Sequence, residues 1–329
     1  MWNILVLFRP SEYLLELLDS DNHFNYRIIR LHRVDIEDIR EDLADADALI
    51  ASPGQYVNEE LINAAEKMRL LIVHGSGYDK VDVDACTKKG VVVLNAPDAI
   101  ARAVAEHALG LTISLLRKIA LGDRVVRTGE WWTGSRKRSF VGTNVYGKTV
   151  GIIGLGHIGR ILSSLFQCMG ARVLYWSRRR RPHIEEAMGI RYVSIEELLQ
   201  SSDIIIVALA LTPETRHFLD KDRINIVKDG AIIVNISRGK VIDEEALIKA
   251  LEAGKLGGAA LDVFEKEPLP PGSLLMKFDN VVMTPHIAGF TEEAKIGTAK
   301  LVYKLLKQFL VENRVPRDYV VNPEVLEKI

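Results

Sequence analysis

Short apolar runs alternate with segments of helical periodicity along almost the whole chain. Ile4–Phe8, Ala48–Ala51, Leu70–Val73 and Val91–Leu94 read as buried strands, with helical patterns between them. Strands separated by helices imply parallel pairing through crossovers, because no tight turn reaches a parallel neighbour. A long apolar-periodic helix is predicted over Ala99–Arg117, leaving this first α/β unit and opening a second. From Thr149 the alternation resumes, with strand candidates at Val150–Ile153, Arg172–Trp176, Asp203–Val207, Ala231–Asn235, Gly258–Asp262 and Val281–Met283. Such a set suits a doubly wound sheet. Ser194-Ile-Glu-Glu197 has the form of a capping box, and Asp243 is placed to cap a helix over Glu244–Leu251. A last helix, Thr291–Glu312, has no strand partner of its own and is expected to pack back on the N-terminal unit. There is no solenoid repeat, and the one biased run is Arg178–Arg181.

At 329 residues the chain is longer than one hydrophobic core serves, so two packed units are expected. An apolar share of 48% with 26% charged residues is that of a globular protein. A formal net charge of -1 offers no general attraction to nucleic acid or to an anionic membrane, which leaves small molecules and other subunits as partners. Cys86 and Cys168 are too few for a disulfide framework and lack the paired spacing of a zinc site; no metal is expected, and a reducing, cytoplasmic compartment fits. The apolar start, Met1–Phe8, has no basic flank or cleavage site and does not read as a signal peptide. Without an uncharged apolar stretch of roughly 18 residues, a membrane-spanning helix is excluded on length.

Gly154-Leu-Gly156-His-Ile-Gly159 directly follows a strand and opens an apolar-periodic helix. There the first glycine permits the tight turn, the second lets a pyrophosphate approach the backbone, and the third lets helix and strand pack closely. The helix N-terminus adds free N–H groups facing the phosphates. The plain alternative is a bare strand-to-helix turn. A carboxylate for the adenosine ribose is expected about 20 residues on. Tyr175-Trp-Ser177-Arg178-Arg179-Arg180-Arg181 stands in that place, and a hydroxyl followed by guanidinium groups suits a 2′-phosphate. NADP(H) is therefore preferred and NAD(H) possible, against the alternative of a solvated basic turn.

Asn235-Ile-Ser-Arg-Gly239, Asp262-Val-Phe-Glu-Lys-Glu-Pro268 and Pro285-His-Ile-Ala-Gly289 each follow a strand of the second sheet at its carboxyl end, where open α/β sheets bind ligands. Interconverting a carbonyl and a hydroxyl needs a carboxylate binder, a proton donor and acceptor, and a group to orient it. Arg238 suits the first role and can also polarise the C2 oxygen. His286 suits the second, and Glu267 would hydrogen-bond the imidazole. Singly, Arg238 and His286 also admit structural readings; the ordered set carries the argument.

These motifs resemble the D-isomer-specific 2-hydroxyacid dehydrogenase family, over nearly the full chain. Asn235-Ile-Ser-Arg-Gly-Lys-Val-Ile-Asp-Glu244, Gly258-Ala-Ala-Leu-Asp-Val-Phe-Glu-Lys-Glu-Pro268 and Thr284-Pro-His-Ile-Ala-Gly289 match its signatures in order and spacing. The resemblance implies an α/β fold of two doubly wound domains, a Rossmann cofactor domain (100–289) inserted into a flavodoxin-like substrate domain (1–99 and 290–329), with the cleft between them. It makes Arg238, Glu267 and His286 the catalytic trio and Asp262 a contact of the nicotinamide carboxamide. Cofactor contacts are implied at Gly154, Gly156, His157, Ile158, Gly159, Ser177, Arg178, Arg179, Ala210, Thr212, Pro213, Ile236, Ser237, Ala288 and Gly289. Gly75, Ser76 and Gly77 would offer N–H groups to the substrate carboxylate, which two glycines bracketing a serine can do as a nest, although a strand-ending turn is the plain alternative. A homodimer is implied, with Trp131–Phe140 at its interface.

The chain departs from phosphoglycerate dehydrogenases of the family, which carry an arginine where Val73 stands, and Ser177-Arg178 resembles NADP-using glyoxylate and hydroxypyruvate reductases. Arg136, Lys137 and Arg138 read as a solvated loop before a substrate contact. A phosphoglycerate dehydrogenase-like enzyme, a corepressor-like protein that senses the dinucleotide, and different nicotinamide chemistry such as phosphite oxidation remain the alternatives.

Overall fold

The computed structural model describes residues 1–30, 35–133 and 140–327. Two compact units divide the chain, Met1–Ile100 with Phe290–Ile329, and Ala101–Gly289. The segment Trp131–Phe140, with Arg136, Lys137 and Arg138, largely lies outside the described residues.

Unit 1 is built on β1 (Trp2–Val6), β2 (Phe24–Ile28), β3 (Ala48–Ala51), β4 (Leu70–Val73) and β5 (Val92–Asn95). They pair in parallel in the order β2-β1-β3-β4-β5, the flavodoxin-like winding. β3 and β4 are buried at every position, which is why they read as unbroken apolar runs. The pattern did not mark β2, whose Phe-Asn-Tyr-Arg-Ile run lies at the sheet edge with polar positions exposed. The helix Glu292–Leu306 belongs to this unit, and its Ala299, Val302, Leu305 and Leu306 complete a core with Leu14 and Leu18 of the helix Glu12–Asp19. Beyond it the expected helix passes into a π-helical turn, Lys307–Val311. Asn322, fully buried, accepts from Val93 N–H (2.8 Å) and donates to Val91 C=O (3.0 Å), so a side chain supplies the partner that β5 lacks on its outer edge.

Unit 2 contains β6 (Thr149–Ile153), β7 (Arg172–Trp176), β8 (Arg191–Tyr192), β9 (Ile204–Val207), β10 (Ile232–Asn235), β11 (Gly258–Leu261) and β12 (Val281–Met283). All pair in parallel, in the order β12-β11-β10-β9-β6-β7-β8. The winding reverses between β6 and β9, and ligands of open α/β sheets bind at such a switch point. The seventh strand, β8, spans two residues at an edge and was too short to carry a pattern. Ser194 Oγ does accept from Glu197 N–H (3.1 Å), but the Glu197 carboxylate pairs with Arg191 and leaves the capping box half made. Asp243 caps Glu244–Glu252 through Ala246 N–H.

One expectation is corrected. Pro97–Leu116 is long and apolar enough, by length and composition, to cross a membrane, so length alone excludes nothing. Its apolar character has a local cause, since Ala101, Val104, Ala105, Ala108, Leu111 and Leu115 are buried within the protein.

Asp21 ties unit 1 together. Its carboxylate accepts from Tyr303 Oη (2.6 Å), His23 N–H (3.0 Å), His23 Nδ1 (2.6 Å) and Lys307 Nζ (3.2 Å). These bonds, the Tyr303 hydroxyl first, hold its pKa far below the usual carboxylate range against the opposing effect of burial. A carboxylate depressed in the folded state stabilises above its unfolded pKa of about 3.9 and loses that contribution as pH falls below it. Asp21→Asn is expected to cost about 1–3 kcal/mol at pH 7. In urea unfolding the gap between wild type and variant should narrow from pH 7 to pH 3; an unchanged gap would assign the loss to packing.

Candidate active site

The glycine loop after β6 has the shape a dinucleotide requires. Gly154 has φ +107°, in the left-handed region, and a Cβ there would lie 2.4 Å from Ala208 C=O. At Gly159 a Cβ would meet Gly154 C=O at 2.2 Å, so helix and strand touch through backbone. Gly156 differs: it caps the helix His157–Cys168 in extended conformation, and a Cβ there would meet nothing within 4 Å. Two glycines are thus demanded by packing, whereas the third leaves open space over a helix N-terminus, which fits a pyrophosphate. His157 and Ile158 form the first turn of that helix.

The adjacent loops are held by their own side chains. After β9, Thr215 Oγ1 donates to Ala210 C=O (2.7 Å) and accepts from Thr212 N–H (2.7 Å), which fixes the turn through Pro213. After β7, Ser177 Oγ donates to Arg179 C=O (2.7 Å). Of the arginine run, Arg180 is spent on Glu185 (2.9 Å). Arg178 and Arg179 are exposed, and among the described residues neither side chain is held in an ion pair. The Glu214 carboxyl is kept below its usual range by the Thr212 hydroxyl and, more weakly, by the charge of Arg178.

β10, β11 and β12 are neighbours, so the loops after them leave side by side from one edge of the sheet. Asn235, 1% exposed, shapes the first loop by accepting from Ser237 N–H (3.1 Å) and Oγ (2.8 Å) and donating to Arg238 C=O (3.1 Å). Ile236 and Ser237 are consequently buried, and the Arg238 side chain donates Nη1–H to Ser237 C=O (2.8 Å). Gly239 packs so tightly on the second loop that a Cβ would fall 1.8 Å from the Phe264 carbonyl carbon. That contact brings the arginine loop against the glutamate loop.

Glu267 Oε2 lies 2.8 Å from His286 Nδ1, and Glu267 Oε1 accepts from Phe264 N–H at 3.0 Å. Partial burial pushes the Glu267 pKa up. The bonds from His286 and Phe264, with the charges of His286 and Arg238, outweigh it and hold the group below the usual carboxylate range. His286 and Glu267 are thus in contact, and the charge of Arg238 reaches Glu267 within the same unit. His286 itself has φ +55°, a left-handed conformation uncommon outside glycine, and its side chain is 44% exposed.

Asp262 sits beneath this loop. It is 1% exposed; Oδ1 accepts from Thr284 Oγ1 (2.6 Å) and Ile287 N–H (2.9 Å), and Oδ2 accepts from Ala288 N–H (2.9 Å). Burial raises its pKa, but these donors and His107 more than reverse the effect. Its oxygens are thus engaged by the loop Thr284–Ala288, and Ala288 N–H is likewise committed. Gly289 ends this unit.

In unit 1, Gly75 has φ +155°, and a Cβ there would strike Pro53 Cγ at 2.7 Å. Its N–H donates to Val73 C=O (2.8 Å), while among the described residues the N–H groups of Ser76 and Gly77 have no intramolecular acceptor. Gly75 thus supplies the turn, and the N–H groups left open in this loop are those of Ser76 and Gly77. Val73 is fully buried and offers no cation. Burial pushes the pKa of the neighbouring His74 down to about 4, leaving a neutral ring at pH 7. Asn235 and Thr284 were not singled out from the sequence as site residues; only the strand-end position of Asn235, apt for an Asx turn, signalled either.

A sheet of this winding with an open glycine loop suits a dinucleotide, and a histidine–carboxylate pair at the same edge has the chemistry to manage the proton that accompanies hydride transfer at a carbon bearing oxygen. The class is that of nicotinamide-dependent oxidoreductases acting on a CH–OH group. Comparison with known proteins narrows it: residues 109–288 match the profile described as D-isomer specific 2-hydroxyacid dehydrogenase, NAD binding domain. A glyoxylate reductase of Pyrococcus furiosus is 39% identical over 297 residues, covering 88% of this chain and 87% of that enzyme. The crystal structure of a glyoxylate reductase from Paecilomyes thermophila aligns with a TM-score of 0.87 at 30% identity, covering 97% of this chain and 98% of that one. An NADPH-dependent glyoxylate/hydroxypyruvate reductase from Sinorhizobium meliloti, in complex with NADP and malonate, aligns at 0.84 and 28% identity over 98% and 97% of the two chains. The chain belongs to the D-isomer-specific 2-hydroxyacid dehydrogenase family.

The glycine geometry separates two variants. Gly156→Ala should change stability by less than about 1 kcal/mol, because the methyl enters open space at a helix cap. It should nevertheless weaken dinucleotide binding at least about tenfold by blocking backbone approach. Gly159→Ala should lower the melting temperature through overpacking worth about 1–3 kcal/mol. Fluorescence titration of the reduced cofactor and thermal melts read both, and unchanged affinity in Gly156→Ala would remove the pyrophosphate from that position.

Proposed function

We propose that the protein reduces a small 2-keto acid, glyoxylate or hydroxypyruvate, with NADPH preferred over NADH. The observation that carries the chemistry is the 2.8 Å bond between His286 Nδ1 and Glu267, which commits one ring nitrogen and directs Nε2 to a ligand. In reduction His286 Nε2 gives its proton to the C2 oxygen, and in oxidation the same nitrogen takes it back. Glu267 holds the ring orientation and balances the imidazolium charge. Arg238 pairs with the substrate carboxylate and stabilises negative charge developing on the C2 oxygen. The bound dinucleotide supplies or accepts the hydride. Ser76 and Gly77 N–H groups are proposed as further donors to a carboxylate.

The NADPH preference rests on the exposed Arg178 and Arg179 after β7 and on the lack of an acidic side chain in that turn. The substrate reading draws on the glyoxylate reductases among the relatives. A homodimer and a cytoplasmic setting belong to the same proposal; the exposed Ile119, Val126, Val141 and Tyr146 supply apolar surface for a second copy, and sedimentation at monomer mass would remove that part.

Initial rates with NADPH and NADH on glyoxylate, hydroxypyruvate, pyruvate and phenylpyruvate test the assignment. Turnover should concentrate on the first two acids with NADPH, and the absence of turnover on all four would overturn the reading. His286→Gln should lower kcat by about 10²–10⁴-fold while cofactor binding persists. Replacing Arg178 and Arg179 together by Ala should raise KM for NADPH far more than for NADH; an equal rise would reduce the arginines to surface charge.

A further inference from the structure

The Asp262 carboxylate has one more neighbour, and it comes from outside the strand-end loops. His107, on the helix Pro97–Leu116, places Nε2 3.0 Å from Thr284 Oγ1 and 3.5 Å from Asp262 Oδ1. Thr284 donates its single hydroxyl proton to Asp262 Oδ1 at 2.6 Å, so toward His107 it acts only as acceptor. His107 therefore carries a proton on Nε2. A directional chain results, from His107 N–H to the Thr284 hydroxyl to Asp262, whose oxygens also receive the N–H groups of Ile287 and Ala288. His286 lies between those residues and Thr284, and its own N–H donates to Asp262 C=O at 2.8 Å. Its left-handed backbone, φ +55°, is strained for a residue other than glycine and persists only where surrounding contacts over-determine it.

We propose that His107 is a positioning residue for the acid/base: through Thr284 it fixes the rotation of the Asp262 carboxylate, and thereby the strained turn that aims the His286 ring. The inference rests on the acid/base reading of His286. His107 touches neither the ring of His286 nor Glu267 among the described contacts, so it acts through the loop alone.

Two pairs of variants test it. His107→Ala removes the donor and His107→Gln returns an N–H donor; Thr284→Val removes the relay and Thr284→Ser keeps it. His107→Ala and Thr284→Val should each lower kcat about tenfold or more through misplacement of the reacting group. KM for the keto acid and Kd for NADPH should stay within about twofold, because uniform binding is untouched. The Gln and Ser variants should recover most of the rate. The double variant His107→Ala/Thr284→Val should be no worse than the poorer single one, since both cut the same relay. A second readout needs no turnover. In ¹⁵N-histidine NMR of the ligand-free protein, His107 Nε2 should be protonated, and the His286 ring resonances should move in Thr284→Val but not in Thr284→Ser. Unmoved His286 resonances in folded Thr284→Val, or rate losses that multiply in the double variant, would overturn the proposal. A wild-type protein inactive on every keto acid would fail the functional reading while leaving the NMR outcome to decide this one.

Discussion

The desolvated carboxylate of Asp262 is the constraint on which the ligand edge of the second sheet depends. An ionised group at 1% exposure is tolerable only when donors surround it, and the nearest available donors are the hydroxyl and amides of one five-residue loop. Satisfying the charge dictates the path of that loop, and the path dictates that a histidine adopts a backbone conformation it would otherwise avoid. A stability requirement and a geometric requirement are met by the same bonds.

The two carboxylates of the site are used differently because water reaches them differently. Asp262 is enclosed and accepts from loop amides and the Thr284 hydroxyl; Glu267 is partly open and bonds the His286 imidazole. Both lie below the usual carboxylate range although burial pushes each the other way. The enclosed one can be rigid, since the hydroxyl and amides of a single loop hold both of its oxygens. In the proposed reaction its open counterpart answers a ring that gains and loses a proton, and its second oxygen is pinned by Phe264 N–H so that it answers from a constant position.

Most of this architecture was legible along the chain because parallel strands covered on both faces leave continuous apolar runs, as at β3, β4 and β9. Edge strands such as β2 and β8 escape that logic, having one neighbour and half a core to fill. At the site, the trio was readable because its members end consecutive strands. What stayed hidden were relations between distant positions: His107 with Thr284, 177 residues apart, or Gly239 with the Phe264 backbone. Nor could a motif say which N–H groups are already spent, and so Gly75 seemed equivalent to Ser76 until its bond to Val73 was seen. Likewise Arg180 looked the same as Arg178 until Glu185 claimed it.

The return of the C-terminal helix to unit 1 sets an order of events during synthesis. Ala299, Val302, Leu305 and Leu306 fill a core whose other walls come from the first hundred residues, whereas Ala101–Gly289 is contiguous and closes with its own strands. On the ribosome, then, the first-made part of the chain is the last to be finished: its apolar face stays uncovered until Phe290–Ile329 emerges, while the inserted unit can already be folded. Translation speed through the inserted segment thus determines how long a nascent sheet must wait beside the exit tunnel with one of its faces incompletely covered.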